Sequence, residues 1–226
     1  MRTNDGYKLI PSAPGRRKYI KCTRWEELTD MLRIHANLSH TACAASEFRL
    51  LNNDQCVCVG TIDDNESDNL NTLLSLLDRA PRGDSPLCKH VNDVIDQIWS
   101  MEDQLRMSEQ LACIIIATNS IASDGDLLTV MRRLRGLPAR VVVRLCTAEE
   151  DVVDYWNNIK IQLGLNMIVL GGLCGEAAKI HAHNTWITYG QPLHRLREFG
   201  IVCEEVDLLC TRPLAPNEIR KLCSYM

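Results

Sequence analysis

No uninterrupted apolar stretch in this sequence approaches the roughly 18 residues that a membrane span needs, so a bilayer-crossing helix is not expected. The chain also lacks a charge excess of either sign. Lys and Arg number 25 against 29 Asp and Glu, for a formal net charge of −4. That balance gives no general electrostatic reason to bind nucleic acid or an anionic membrane surface. Residues 1–21 have no apolar centre of the kind a secretory signal carries, being polar and basic instead. Internal repeats and low-complexity tracts are missing as well. Cysteine is plentiful at 11, but paired spacing is not there. The thiols are odd in number and scattered singly through apolar segments, such as Cys113 in LACIIIATN and Cys146 in VVVRLC. They read as reduced core thiols of a cytoplasmic protein, not as a disulfide framework.

The 226 residues are 46% hydrophobic and 24% charged, the proportions of an ordinary globular chain. A chain of this length buries roughly 70% of the surface it exposes when unfolded, enough for a real core. Apolar residues run throughout, which argues against disorder. Residues 1–22, with their Pro, Gly and the Arg16, Arg17, Lys18 cluster, read as a loosely ordered lead-in. Thr23 stands three residues before Glu26 in a capping-box pattern, and Leu28, Met31, Leu32, His35 and Leu38 follow at helical spacing. Two short runs, 47–51 and 56–60, flank the turn residues Asn52, Asn53 and Asp54 and predict a hairpin in which Phe48, Leu50, Val57 and Val59 alternate.

An acidic loop at 63–68 and a short helix at 70–77 come next, then a loop at 81–86 and a helix carrying Val91, Val94, Ile95, Ile98 and Leu105 on one face. The continuous apolar run 111–117 reads as a strand buried on both faces, 140–146 as another buried strand, and 167–170 as a further strand. Ser123 or Asp124 is expected to cap a basic helix running through Arg135, and Thr147 to open the helix after the second strand. A last edge strand at 206–209 and a C-terminal helix from Asn217 complete the pattern. Strands alternating with helices predict an α/β fold, a mostly parallel open sheet layered between helices, with the hairpin supplying one antiparallel pairing. The domain reading is a lead-in at 1–22, an α/β body at 23–210 and a helical tail at 211–226 packed upon it.

Several strings, SEFRLLN (46–52), GDSPLC (83–88), IIIATNSIASDGDL (114–127), RVVVRLCTAEEDVVDYWNNI (140–159) and PLHRLREFG (192–200), resemble those of the von Willebrand factor type A domain. The resemblance spans roughly residues 25–201. It implies a Rossmann-like three-layer α/β/α sandwich with one antiparallel edge strand. It also implies a metal-ion-dependent adhesion site, where three loops supply hard oxygen ligands to one Mg²⁺ that recruits an acidic side chain of another protein. No Asp-x-Ser-x-Ser loop is present, and no strand before Trp25 fits the family's central first strand. Ser85 stands where the family has Thr, and Asn119 where it has Asp. The resemblance therefore implies a degenerate site with Ser85, Asn119 and Asp124 as its remaining metal donors, without Mg²⁺ as a resident cofactor. Residues 7–10 or 18–22 replace the first strand, or the strand belongs to sequence outside this chain, or a partner inserts one by β-augmentation.

Other constellations carry less. The turn at 171–175 follows a strand and precedes a helix, the context of a phosphate-binding turn. It has neither the full dinucleotide fingerprint nor the Lys-Ser/Thr of a P-loop, so close helix–sheet packing is the preferred reading. Cys56-x-Cys58 and His181-x-His183 have zinc-ligand residue types without zinc-site spacing. Cys88 and His90, two apart on a helix, face different sides. Arg132, Arg133 and Arg135 read as a solvated basic face. The expectation is a non-enzymatic protein-interaction module. Its binding rim is Asp84, Ser85, Thr118, Asn119, Ser123, Asp124 and Asp126, and its partner is a protein, met through an acidic side chain or an added strand, not nucleic acid or membrane. The alternatives are a nucleotide- or phosphate-binding enzyme using the 171–175 turn, and an assembly subunit completed by a partner's strand.

Overall fold

The computed structural model describes residues 1–13, 16–52, 55–61 and 66–225. In chain order the elements are β1 (Gly6–Ala13), β2 (Arg16–Cys22), α1 (Arg24–Ala42), β3 (Ser46–Arg49), β4 (Cys56–Val59), α2 (Glu66–Leu77), α3 (Leu87–Ser100), α4 (Glu102–Met107) and β5 (Ala112–Thr118). They continue as α5 (Leu127–Arg132), β6 (Ala139–Leu145), α6 (Glu150–Leu163), β7 (Met167–Leu170), α7 (Leu173–His183), α8 (Gln191–Glu198), α9 (Glu204–Leu208) and α10 (Pro216–Tyr225). The chain divides into two compact units, Met1–Asp96 with Asn119–Arg133, and Gln97–Thr118 with Leu134–Met226. The fold is α/β, with one three-stranded parallel sheet and two antiparallel hairpins.

In the first unit, α1 starts where the sequence says it should. The Thr23 hydroxyl accepts from the Glu26 backbone N–H, and the Glu26 carboxylate accepts from the Thr23 N–H, closing the capping box. Within the lead-in expected at 1–22, β1 and β2 are strands. β1 and β2 pair antiparallel, with Gly6 opposite Cys22. Arg24, its side chain buried, grips the Asp5 carboxylate with Nε and Nη2, both at 2.7 Å. The carbonyls of Met1 and Thr3 accept from the N–H groups of Trp25 and Arg24, and the Glu27 carboxylate accepts from the Tyr7 N–H. Donors that a helix start leaves without intrahelical partners thus find acceptors in this segment.

β3 and β4 form the expected hairpin, Phe48 opposite Val57. Val57 and Val59 are buried on a small core with Ala36, Leu73 and Leu77, while Cys56 and Cys58 face out. Asn53 and Asp54 of its turn, and positions 63–65 of the expected acidic loop, lie outside the described residues; 66–68 begin α2. The helix expected to carry both Val91 and Leu105 is two helices, α3 and α4, broken at Met101.

In the second unit, β5, β6 and β7 lie side by side and parallel, with Ile115 opposite Val142 and Val142 opposite Ile168. β6 is central and buried from Arg140 onward, as the reading of this segment as a buried strand expects. No antiparallel strand joins this sheet among the described residues: each hairpin pairs within itself. Neither 7–10 nor 18–22 therefore replaces a central strand. The edge strand expected at 206–209 is helical instead, α9, with Val206 and Leu209 buried three residues apart. They share a core with Ile180, Tyr189, Leu214 and Leu222, so α10 packs onto this unit. Asn184, 1% exposed, holds the segment in place. Its side-chain nitrogen donates to the carbonyls of Leu209 and Arg212, and its oxygen accepts from Leu214 N and Trp186 Nε1. At Gly200, with φ +72°, a Cβ would come within 2.3 Å of Cys113 Sγ and 3.2 Å of Val142 Cγ2, so only glycine lets the chain after α8 press this closely on the sheet.

Candidate functional site

Two loops of the first unit, 81–86 and 119–126, carry most of the expected rim, and the structure joins them. Ser85 N donates to Ser123 Oγ at 3.0 Å, and Ser123 N donates to the Ser85 carbonyl at 3.0 Å. The hydroxyls of Ser85 and Ser120 lie 3.1 Å apart. Asp84 is exposed, and its carbonyl accepts from the Asn52 side chain. Asn119 is half-buried at the start of the second loop. Thr118 is the buried last residue of β5, and its carbonyl accepts from Cys146 N at 2.8 Å, which makes it part of the sheet ladder.

The two acids of the rim serve helix ends. Both carboxylate oxygens of Asp124 accept at 2.9 Å, from Cys88 N and Lys89 N at the start of α3. Burial alone would raise this carboxyl; the two hydrogen bonds outweigh it and hold the group below its ordinary range. The Cys88 thiol beside it is pushed up to about 11, by burial first and then by the Asp124 charge. Asp126 caps α5, accepting from Leu128 N, Thr129 N and Thr129 Oγ1, and the Thr129 hydroxyl is the main reason its carboxyl is lowered. The cap expected from Ser123 or Asp124 on α5 thus belongs to Asp126, and Asp124 reaches back to a different helix. As a set these donors do not suit Mg²⁺, which takes six hard oxygens in near-ideal octahedral array. Both carboxylates are aimed at backbone N–H groups, and the Ser85 hydroxyl is shared with Ser120.

A second constellation, missed in the sequence, lies at the carboxyl end of β6 and β7 in the second unit. Glu198 is fully buried at the end of α8. Its carboxylate accepts from Arg144 Nε at 2.8 Å and Arg195 Nη1 at 2.6 Å, with His194 Nε2 at 3.2 Å. His194 Nδ1 lies 3.0 Å from the Tyr189 hydroxyl, which accepts from Arg197 Nη1 at 3.3 Å. The same guanidinium donates to Glu176 at 2.7 Å. Glu176 in turn accepts from Lys179 and from the Gly171 N–H, at 3.1 and 3.2 Å.

Burial would raise Glu198 and Glu176. It is overcome at Glu198 by His194 and Arg144, and at Glu176 by Arg197 and Lys179, so both are held below their ordinary range. Burial lowers His194 despite the Glu198 charge and pushes Tyr189 up to about 12. The imidazole is therefore neutral beside two ionised carboxylates.

This network reaches the glycine turn. Residues 173–175 are already helical, Gly172 is the N-cap of α7, and the Gly171 N–H is taken by the protein's own Glu176 carboxylate. A signal for the network did exist. Arg140 and Arg144 interrupt an otherwise apolar strand, and charges inside a buried strand need partners. In α8, His194 and Arg195 stand four and three residues before Glu198. What the sequence did not offer was the strand-to-helix pairing of Arg144 with Glu198, 54 residues apart.

The remaining candidates separate. His181 and His183 are exposed near the end of α7, and Cys56 and Cys58 are exposed on β4. The basic face is not simply solvated: Arg133 donates to Asn92 and Asp96, and Arg135 to the carbonyls of Leu163 and Gln162. No helix among the described residues is long and apolar enough to cross a membrane. No family model matches this chain, and neither a curated protein nor a solved structure is significantly similar to it.

Proposed function

We propose that this chain is a non-catalytic protein-interaction module, related to the von Willebrand factor type A domain, whose metal-binding rim has become a metal-free docking surface. The observation that carries the reading is Asp124, with both carboxylate oxygens committed to the N–H groups that open α3. With Asp126 likewise engaged, the loops at 81–86 and 119–126 are held together by their own hydrogen bonds and present Asp84 and a half-exposed Ile121 to solvent. The Glu176 carboxylate supports this reading over a nucleotide enzyme, because an internal anion already accepts from the Gly171 N–H of the 171–175 turn. A cytoplasmic location belongs to this proposal, and it suits 11 unpaired thiols.

The test is affinity purification with the wild-type chain and with Asp84→Lys and Ile121→Glu, each with and without chelator. Partners retained by the wild type in chelator and lost from both variants support a metal-free rim. Partners released by chelator, or held equally by both variants, overturn it. Calorimetry with Mg²⁺ or Mn²⁺ is expected to show no binding, and Asn119→Asp should not restore it while the acids remain helix caps.

One observation favours the assembly reading beside this one. β5 is an outer strand of the parallel sheet, seven residues long and almost entirely apolar. Such an edge is a template for an added strand. Sedimentation of the isolated chain separates the two: a monodisperse, cooperatively melting monomer argues against any need for a completing strand.

A further inference from the structure

The β3–β4 hairpin of the first unit brings together a group of metal-ligating side chains that sequence spacing did not reveal. Because successive strand residues point to opposite faces, Val57 and Val59 enter the core and Cys56 and Cys58 share the outer face of β4. Antiparallel register then sets Glu47 opposite Cys58 and Arg49 opposite Cys56. The two thiols and the Glu47 carboxylate offer ligand atoms that all lie within 4.8 Å of one another. We propose that Glu47, Cys56 and Cys58 form a surface site for a borderline-soft divalent cation, zinc above all, with the fourth position open to water or to a ligand from a docked protein.

The donor set selects the metal class. Two thiolates and one carboxylate suit Zn²⁺ and its cadmium analogue and do not suit Mg²⁺ or Ca²⁺. Tetrahedral zinc, with bonds of about 2.3 Å to sulfur and about 2.0 Å to oxygen, places its ligand atoms roughly 3.5–3.8 Å apart. Small rotamer adjustments on a paired hairpin close the remaining distance. Each thiol releases its proton to solvent as its sulfur lone pair binds the ion, so uptake frees two protons and changes no oxidation state. Two thiolates and a carboxylate bring three negative charges to a dication. Arg49, ion-paired to Glu47 and reaching Asp93 at 3.5 Å, supplies the balancing positive charge. His181 and His183, the other zinc-type pair in the sequence, are exposed on α7.

The experiment uses the full reduced chain. Cadmium is titrated and followed by the ultraviolet thiolate charge-transfer band, and zinc by competition with a chromophoric chelator. One tight equivalent is expected. It should be lost, with affinity at least about 100-fold lower, in the Cys56→Ser/Cys58→Ser double variant, and weakened about 10-fold in Glu47→Gln. Cys43→Ser and Cys223→Ser, which remove exposed thiols elsewhere, should leave it unchanged. A double variant that keeps the tight equivalent overturns the site, and an unaffected Glu47→Gln overturns the carboxylate's part in it. X-ray absorption of the wild-type chain loaded with one equivalent of zinc guards against misfolded variants. Two sulfurs with oxygen ligands support the assignment, whereas no sulfur, or three or four, refutes it.

Discussion

Asp124 in the first unit and Glu198 in the second are both carboxylates that answer positive partners, yet their surroundings differ in kind. Asp124 sits in an exposed loop and meets the N–H groups and dipole at the start of α3. Glu198 is the last residue of α8, where the helix dipole opposes a negative charge, and it is fully buried. Arg144, Arg195 and His194 must together offset both the dipole and the lost water. The comparison teaches that the same residue type is a mild local device where water reaches it and a fold-critical one where water does not. It also bears on function: polar groups already committed to one another inside the protein are poor candidates for a ligand.

The sharpest way to break this comparison is Glu198→Gln. It leaves Arg144 and Arg195 buried without their anion and should cost about 3–5 kcal/mol in urea unfolding. A loss below about 1 kcal/mol would mean that the network relaxes or admits water, and the contrast with Asp124 would collapse.

Acid should act next. His194 in the folded chain lies below its ordinary 6.5, so its stabilising effect is complete above that pH and drains away below it, as the unfolded chain takes up a proton the folded one refuses. Glu176 and Glu198, lowered from 4.5, extend the loss below pH 4.5, where their protonation again favours the unfolded state. Melting temperature should therefore begin to fall near pH 6.5 and steepen under 4.5. His194→Gln is expected to remove the first part and leave the second, and identical pH profiles for the two proteins would contradict a buried neutral imidazole.

Asp124→Ala should cost about 1 kcal/mol, held to that size because water screens an exposed carboxylate. Its signature is faster amide exchange at Cys88 and Lys89, not global loosening. The smallest effect belongs to Asp126→Ala, a downward shift in melting temperature smaller than that of Asp124→Ala, because the helix it caps has only six residues. If the two cap variants reversed this order, the role given to Asp124 would be the wrong one.

How legible each part was follows from the range of the interaction involved. The Thr23–Glu26 box, the 3–4 hairpin and the parallel strands were readable because capping, alternation and continuous apolar runs are written within a few residues. The lead-in strands were not legible, because contacts such as Arg24 holding Asp5 join residues 19 apart and no composition rule reports them. The helix at 204–208 looked like a strand because a short apolar run fits either period until its neighbours choose. Asp124 was correctly suspected of capping, but on the wrong helix, since the Cys88 N–H it accepts from lies 36 residues earlier.

Local chemistry written along the chain was enough to set the α/β class, most element positions and the exposed face shared by Cys56 and Cys58. The partners of the charges were settled in space: Glu198 with Arg144, Glu176 with Arg197 and Gly171, Glu47 across from Cys58. The physical reason is that backbone hydrogen bonding and hydrophobic periodicity act over one or two turns. A buried or cross-strand charge, by contrast, is satisfied only by whichever residue the folded chain carries to within about 3 Å of it.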